Sequence, residues 1–254
     1  MQWGFAQKAA LDNSGHPRLA NASGGSAQLQ LQATNLVLGE RVVTQGIGTL
    51  GLSAGQDLRL QAGVLDAQQA LTGALVTQAD TTISAAQLYP ASDTRFTIDA
   101  SGHGLTLNGA ATSATPDAPP SAGGSLNLLA GTIDVSGTVR APAGSIALTA
   151  STAIREHGGA SISVSSAGQT LIYGQSASGK WFSPQQVGGN GSSLATPPAK
   201  NISLTAPTVD LQTGSSIDLR GGGQLLAWQF IPGPGGSTDA FTGSDGGLDR
   251  KSVV

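Results

Sequence analysis

Short bursts of alternating apolar and polar residues recur along the chain. One hexad, which reads apolar-x-Leu-x-Ala-small, occurs six times, and its copies begin at Leu29, Leu50, Leu58, Leu126, Ile146 and Ile202. The first two copies begin 21 residues apart, and those at positions 126 and 146 begin 20 residues apart. Alternation over four to six residues predicts a β-strand with one buried face.

A second unit, the tetrad Ser/Thr-Ile/Val-Asp-apolar, begins at Thr97, Thr132, Thr208 and Ser216. Three aspartates stand eight residues after a hexad start, namely Asp66, Asp134 and Asp210. Helical periodicity is nearly absent, because Gly or Pro interrupts each candidate. Residues 66–75 carry the most helix-like pattern and predict one helical turn.

Strands that recur about every 20 residues, with small residues at the corners, predict an all-β fold, the parallel β-helix. In that fold each coil adds strands that pair with the same strands of the next coil. At roughly 20–25 residues per coil, the chain makes about ten coils. An antiparallel sandwich is the alternative, but it needs hairpin turns between the alternating runs. The Asn-Gly and Asp-Gly pairs at 108–109, 190–191 and 245–246 lie instead at segment or loop ends.

The repeats divide the chain into segments. Residues 1–23 form an irregular N-terminal segment, and residues 24–231 carry the repeats, with loop insertions at 111–124 and 174–200. Residues 232–248 are rich in Gly and Pro. The last six residues, DRKSVV at 249–254, match nothing before them and equal one reading frame of a common sequencing adapter. We interpret them as read-through and expect the natural chain to continue beyond Leu248.

Composition narrows the range of partners. The chain has 37 Gly among 254 residues, 11% charged residues and a net charge of −3. Without a basic patch we expect no nucleic-acid partner. No apolar run reaches the ~18 residues that span a membrane, so we expect no membrane-spanning segment. The absence of cysteine excludes disulfides and thiolate metal sites.

Two groups of residues are candidates for binding. Lys180, Trp181 and Phe182 lie in the Gly-rich second insertion, where exposed aromatic rings bind a sugar face or a protein partner. The alternative is that this insertion folds back and covers a face of the fold. Trp228 and Phe230 alternate along the chain and therefore share one face, which favours packing in a core or cap.

The charged candidates have structural alternatives. The repeated aspartates are expected to point outward, either as a solvated strand face or as an acidic stripe for Ca²⁺ or sugar hydroxyls. In the cluster Arg155-Glu156-His157, adjacent residues of an extended segment point to opposite faces, which favours a polar corner over acid–base chemistry. Gly221–Gly223 lacks the Lys and the helix of a phosphate loop. Three dispersed histidines, with His16 and His103 beside turn residues, predict no metal site, and we expect no cofactor.

The stretch SIDLRGGGQLLAWQFIPGPGGSTD at 216–239, together with the hexads, resembles bacterial filamentous haemagglutinin-type exoproteins of two-partner secretion systems. The resemblance covers about residues 24–245. It implies a right-handed parallel β-helix, export through an outer-membrane transporter, and adhesion at the outer surface to a cell-surface glycan or protein. The Asn-Pro-Asn motifs of that family's secretion domain do not occur here, so we expect an interior fragment.

The alternative function is that of a polysaccharide-acting β-helix enzyme or a carbohydrate-binding module. Such an enzyme needs carboxylates that converge with a Lys or Arg base, or paired carboxylates. Basic residues are scattered here, and Lys180 and Lys200 share one insertion with no acid between them. The sequence therefore favours a non-catalytic protein.

Overall fold

The computed structural model describes residues 21–65, 71–110, 116–177, 179–184 and 193–229. Within these residues all regular secondary structure is β. We number the strands in chain order: β1 (Ser23–Ala33), β2 (Leu36–Gly39), β3 (Arg41–Val43), β4 (Gln45–Ala54), β5 (Asp57–Gln61), β6 (Val64–Leu65), β7 (Leu71–Val76), β8 (Asp80–Ala85), β9 (Gln87–Pro90), β10 (Thr94–Gly109), β11 (Ser125–Val135), β12 (Thr138–Arg140), β13 (Ser145–Glu156), β14 (Ser161–Ser163), β15 (Thr170–Ala177), β16 (Lys180–Phe182), β17 (Asn201–Thr205), β18 (Thr208–Leu211), β19 (Ser216–Asp218) and β20 (Gln224–Gln229). The described part of the chain contains no helix with the length and hydropathy that a membrane crossing requires.

The strands form two main sheets in which the pairing is almost entirely parallel. The large sheet has 11 strands and follows the order β1-β4-β8-β10-β11-β13-β17, with β3, β6, β7 and β18 paired beside this path. The small sheet has six strands in the order β19-β14-β12-β9-β5-β2. We call each traverse of the large sheet a pass, together with the strand of the small sheet that follows it where there is one. The described residues make seven passes, to which the two insertions add none. The expectation of about ten coils concerns the whole chain.

The long strands β10, β11 and β13 are bent, so that the large sheet has two halves. Register shifts between Ala100 and Gly104, and between Ala130 and Thr132, mark the bend. The first half stacks inward residues of β3, β7, β10, β11, β13 and β17 in one column: Val42, Leu75, Ile98, Leu128, Leu148 and Leu204. The second half stacks those of β1, β4, β8, β10, β11, β13 and β18: Leu29, Leu50, Thr81, Leu105, Ile133, Ile154 and Val209.

The small sheet completes the core. Its inward column consists of Leu36, Leu58, Leu88, Val139, Ile162 and Ile217. Together the three columns enclose one apolar cluster whose central members are fully buried. The pass that begins with β10 gives this sheet no strand, so β9 pairs directly with β12 through Leu88 and Val139. In the chain, the first insertion stands between β10 and β11, where the other passes have a strand of the small sheet.

Several sequence-based expectations require correction or extension. The helical turn expected at 66–75 is wrong where the structure describes it, because Leu71–Val76 is a β-strand that pairs with β10. The second insertion begins earlier than residue 174, since β15 leaves the passes at Thr170 and pairs with β16 and β20. Residues 1–20, and everything from residue 230 onward, lie outside the described residues, so the expectations about them stay predictions.

Candidate functional site

The predicted binding loop forms a hairpin on a small three-stranded sheet, in the order β16-β15-β20. Strands β15 and β16 pair antiparallel, with Ala177 opposite Lys180 at the tip. Lys180 is exposed, Trp181 is half-buried, and Phe182 is buried with 6% of its surface accessible. The Phe182 ring is therefore not exposed to a binding partner. Its burial agrees with the alternative interpretation, in which the insertion folds back. Lys180 and one edge of Trp181 remain accessible at the tip.

Tyr173 supports this hairpin from below. Its ring packs against Trp181 edge-on, with centroids 6.2 Å apart and planes at 79°. The Trp181 Nε1–H donates to the Tyr173 carbonyl oxygen at 2.7 Å. The phenol of Tyr173 donates to Asp93 Oδ1 at 3.0 Å and so connects the hairpin to the turn that precedes β10. Trp181 is thus held by two contacts with one residue, which fixes the position of its ring.

Asp93 and Tyr173 form a partly buried acid–phenol pair. Burial raises the pKa of Asp93, and the hydrogen bonds from Tyr173 and Ser183 and the charge of Arg95 oppose that shift. Burial, followed by the charge of Asp93, raises the pKa of Tyr173 well above its ordinary value. The phenol therefore stays a hydrogen-bond donor to Asp93 at neutral pH.

Trp228 does not pack in a core. It lies on β20, which pairs with β15, and 44% of its surface is exposed. The expectation that it packs in a core or cap is wrong, and its companion Phe230 lies outside the described residues. Gly221–Gly223 is an irregular segment beside Ser166, whose hydroxyl donates to the Gly222 carbonyl at 2.8 Å. Gly222 and Gly223 adopt φ of 102° and 83°, conformations that glycine alone adopts readily.

The repeated aspartates meet a basic residue in the second half of the large sheet. Asp134 lies opposite Arg155, and Arg155 lies opposite Asp210, so a basic residue separates the two acidic residues along the column. The Arg155 NH1 atom is 3.6 Å from Asp134 Oδ1. The order acid–base–acid compensates charge along the column, which favours the solvated strand face over an acidic stripe. Asp66, the third member of the pattern, lies outside the described residues.

His157 extends this column into a network across three passes. Its Nε2 donates to Asp134 Oδ1 at 3.1 Å, and its Nδ1 lies 3.2 Å from Gln212 Oε1. Gln212 Nε2 in turn donates to Asp210 Oδ2 at 3.4 Å. Both ring nitrogens lie within hydrogen-bond distance of side chains of this chain, which favours a structural role for His157 over acid–base chemistry. Sequence reasoning predicted a polar corner here but not the pairing of His157 with Asp134.

Glu156 points the other way, into the core. It is fully buried, between Val135 of one neighbouring strand and Leu211 of the other. Burial raises the pKa of its carboxyl group, and a backbone N–H of Ser216 acts in the opposite direction. The expectation that Glu156 and His157 do not converge is confirmed, but the expectation of a wholly polar corner is wrong for Glu156.

A polar cluster that the sequence reasoning missed lies on the outer face of the small sheet. Gln87 Nε2 donates to Asp57 Oδ1 and to the Asp117 carbonyl oxygen, each at 3.0 Å, and the Tyr89 hydroxyl donates to Asp57 Oδ2 at 3.1 Å. Arg140 NH1 also reaches the Asp117 carbonyl, at 3.5 Å. The first insertion thus covers this face, and burial lowers the pKa of the Arg140 guanidinium. The Pro-rich composition of 116–120 did not indicate that its backbone would contact side chains of two strands.

No group of three or more His, Cys, Asp or Glu residues that could hold a metal ion occurs in the described ranges. His103 lies 3.8 Å from the exposed Asp80, and His16 lies outside the described residues.

Comparisons of this chain with protein-family models, with curated proteins and with solved structures found no match.

Proposed function

We propose that this chain is a non-catalytic repeat segment of a secreted bacterial surface exoprotein, folded as a right-handed parallel β-helix and acting in adhesion. The observation that carries the proposal is the in-register stacking of equivalent residues from successive passes. Leu126, Ile146 and Ile202, each the start of a hexad, lie in one column. The resemblance of residues 216–239 to filamentous haemagglutinin-type exoproteins adds the handedness and the location at the cell surface.

Stacked coils form a rod, which suits a protein that holds a binding site away from the cell. Each coil satisfies its backbone hydrogen bonds through its neighbours, so the rod needs few charges and few aromatic residues. Seven strands at about 4.8 Å spacing give a column about 30 Å long. Weak contacts repeated along such a rod sum to strong attachment when they act together. On this proposal an outer-membrane transporter of the two-partner type exports the chain.

The hairpin β15–β16 is the adhesive element on this proposal. Lys180 offers a cation at the tip, and Trp181 offers an aromatic edge whose position Tyr173 fixes. A cation beside a preorganised aromatic ring suits a glycan or protein on a cell surface. The enzymatic alternative has less support, because Asp134 and Asp210 are separated by Arg155 and both nitrogens of His157 are engaged.

The cysteine-free chain permits a clean test of the coil stacking. Asn127 and Ala147 lie opposite each other on adjacent parallel strands, at a spacing that a disulfide accepts. We expect the double variant Asn127→Cys/Ala147→Cys to crosslink within one molecule under mild oxidation. The matched pair Asn127→Cys/Thr149→Cys, displaced by two residues, should crosslink poorly. Equal crosslinking of both pairs would refute the register and with it the proposed β-helix.

Adhesion is tested separately with beads that carry the whole chain. We expect the beads to bind a subset of immobilised glycans or intact cells, and the Lys180→Ala variant to lower binding at least tenfold. Lys200→Ala, in the same insertion, should bind as the parent chain does. Absence of binding, or equal binding by both variants, contradicts an adhesive role for the hairpin.

A further inference from the structure

Glu156 interrupts an apolar column. In the second half of the large sheet, one inward position is occupied in successive passes by Leu31, Leu52, Ile83, Leu107, Val135, Glu156 and Leu211. The Glu156 side chain is fully buried. Neither of its carboxyl oxygens makes a hydrogen bond of ordinary geometry within the described part of the chain. The Ser216 N–H, which acts on the Glu156 pKa, donates to the Ala160 carbonyl oxygen at 3.0 Å. An ionised carboxylate in such a place is costly, whereas the neutral acid is tolerated.

The charged groups on the neighbouring elements do not face Glu156. On its own strand, Arg155 and the following His157 engage Asp134 on the outer face. On β18, Asp210 alternates with inward residues and is exposed. On β19, Asp218 is paired with Arg220 at 2.9 Å. These outward pairs leave Glu156 without a counter-ion inside the core of the described residues.

Among the described strands, the pass that covers Glu156 has paired neighbours on one side only. Strand β18 pairs with β13, and among the described strands none pairs with its other edge. Val209 and Leu211, which occupy inward positions on β18, are 41% and 50% exposed. A strand with few buried apolar contacts opens at a lower free energy than the central strands do. A change of charge at Glu156 therefore acts on a strand that opens at a low free energy.

We propose that Glu156 makes the docking of the last pass, β17–β19, sensitive to pH: the neutral acid packs beneath Leu211, and its ionisation releases β18. This inference does not depend on the adhesive function proposed above. Burial raises the pKa of the Glu156 carboxyl in the docked state above that in the released state. Docking is therefore strongest below the released-state pKa. It weakens as the pH rises towards the docked-state pKa and is weakest above it.

Two backbone amides report docking separately from global unfolding. Gln212 N–H donates to the Glu156 carbonyl across the boundary between the last two passes, at 2.9 Å. His157 N–H donates to the Val135 carbonyl one pass earlier, at 2.8 Å. We expect the exchange protection of the Gln212 amide in the whole chain, corrected for the intrinsic rate, to fall about tenfold or more between pH 5 and pH 8. The His157 amide should change much less.

Variants assign the effect to the carboxyl group. Glu156→Gln keeps the shape without the charge and should abolish the difference between the two pH values. Because histidine also changes charge in this range, His157→Asn is the necessary companion, and it should retain the difference. If the difference disappears in His157→Asn, or persists in Glu156→Gln, the proposal is wrong.

A direct measurement covers the case in which Glu156→Gln fails to fold. The side-chain carboxyl ¹³C resonance of Glu156 in the unaltered chain should titrate above the range of ordinary glutamates. Its midpoint should coincide with the loss of Gln212 protection. A Glu156 midpoint in the ordinary range, or one unrelated to that loss, overturns the proposal.

Discussion

His157 Nε2 donates to Asp134 Oδ1 at 3.1 Å across two successive passes, although the residues lie 23 positions apart in the chain. Both side chains are about one-third exposed. The pair is therefore screened by solvent and contributes less than a buried ion pair would. Its role is to join the corner after β13 to the neighbouring strand β11.

A double-mutant cycle with Asp134→Asn and His157→Gln measures this contact. We expect a coupling free energy of about 0.5–1 kcal/mol at low ionic strength, from urea unfolding of the four proteins. The coupling free energy should become smaller in about 0.5 M salt, because salt screens the interaction between exposed charges. The Asp80–His103 pair, 3.8 Å apart with a mostly exposed aspartate, is the control and should show no measurable coupling.

Phe96 carries a second prediction, about the core. Its ring is fully buried and occupies the space that a side chain at Gly73 would take, only 2.6 Å from an added Cβ. Phe96→Ala should lower the free energy of unfolding by about 3–5 kcal/mol, because it leaves a cavity that the stacked strands fill poorly. Thr97→Ala, at the adjacent outward position, should change it by less than about 0.5 kcal/mol. Similar losses in both variants would contradict the assignment of inward and outward faces.

The alternation of residues predicted the all-β class and the parallel pairing, but it did not assign hexads to faces. The hexads at Leu126, Ile146 and Ile202 do stack. The hexad at Leu58 lies in the small sheet, where it pairs with Leu36 and Leu88. Alternation tells which side chains point inward, whereas the choice of sheet depends on where the chain bends. Bends are set by corner geometry that a hexad does not encode.

The same limit explains why the Asp134–His157 contact could not be predicted. The spacing of 20 residues between the hexads at 126 and 146 places Asp134 opposite Ile154. A register shift after Ala130 displaces the pairing by one residue, so that Asp134 meets Arg155. Glu156 was missed for a different reason, because an ionisable residue at an inward position breaks the pattern from which inward positions are inferred.

The Tyr173–Asp93 hydrogen bond predicts a pH-dependent loss of stability. Tyr173→Phe removes the donor 3.0 Å from Asp93 Oδ1 and should cost about 1.5–3 kcal/mol when the carboxylate is charged. Burial already raises the pKa of Asp93 in the folded state, so the contribution of Asp93 to stability falls as pH rises through that pKa. Loss of the hydrogen bond raises this pKa further and enlarges the fall.

Urea unfolding of the Tyr173→Phe variant at pH 4 and pH 7 checks this expectation. The cost of the substitution should be smaller at pH 4, where more of Asp93 is protonated. Asp93→Asn is a suitable background, because Asn accepts the positive φ of 55° at this position. In that background the cost should not depend on pH. A cost that is equal at both pH values in the parent chain would exclude the acid–phenol pair as its source.

Tyr89 provides the last prediction, on the outer face of the small sheet. Burial raises its pKa to about 12, and the charge of Asp57 and the hydrogen bond to it add to the shift. The chain has two tyrosines, so in the Tyr173→Phe background any rise in absorbance at ~295 nm with pH comes from ionisation of Tyr89, because the constant tryptophan absorption subtracts out. We expect no tyrosinate signal near pH 10 while the far-ultraviolet circular dichroism shows a folded chain. The neutral phenol is favoured by the fold, so its contribution to stability is present below pH 10 and is lost as the pH rises towards 12.

Substitutions on either side of Tyr89 should move its midpoint in opposite directions. Asp57→Asn removes the negative charge and should lower the pKa of Tyr89, which nevertheless stays above 10 because burial is the largest cause. Arg59→Gln removes the positive charge that favours the phenolate and should raise it. Asp57 acts on this phenol through its charge and its hydrogen bond, and Arg59 acts through its charge. Opposite shifts therefore identify the cluster beneath the first insertion as intact. Shifts of the same sign, or a midpoint near 10 in the folded parent chain, would mean that the insertion does not cover this face in solution.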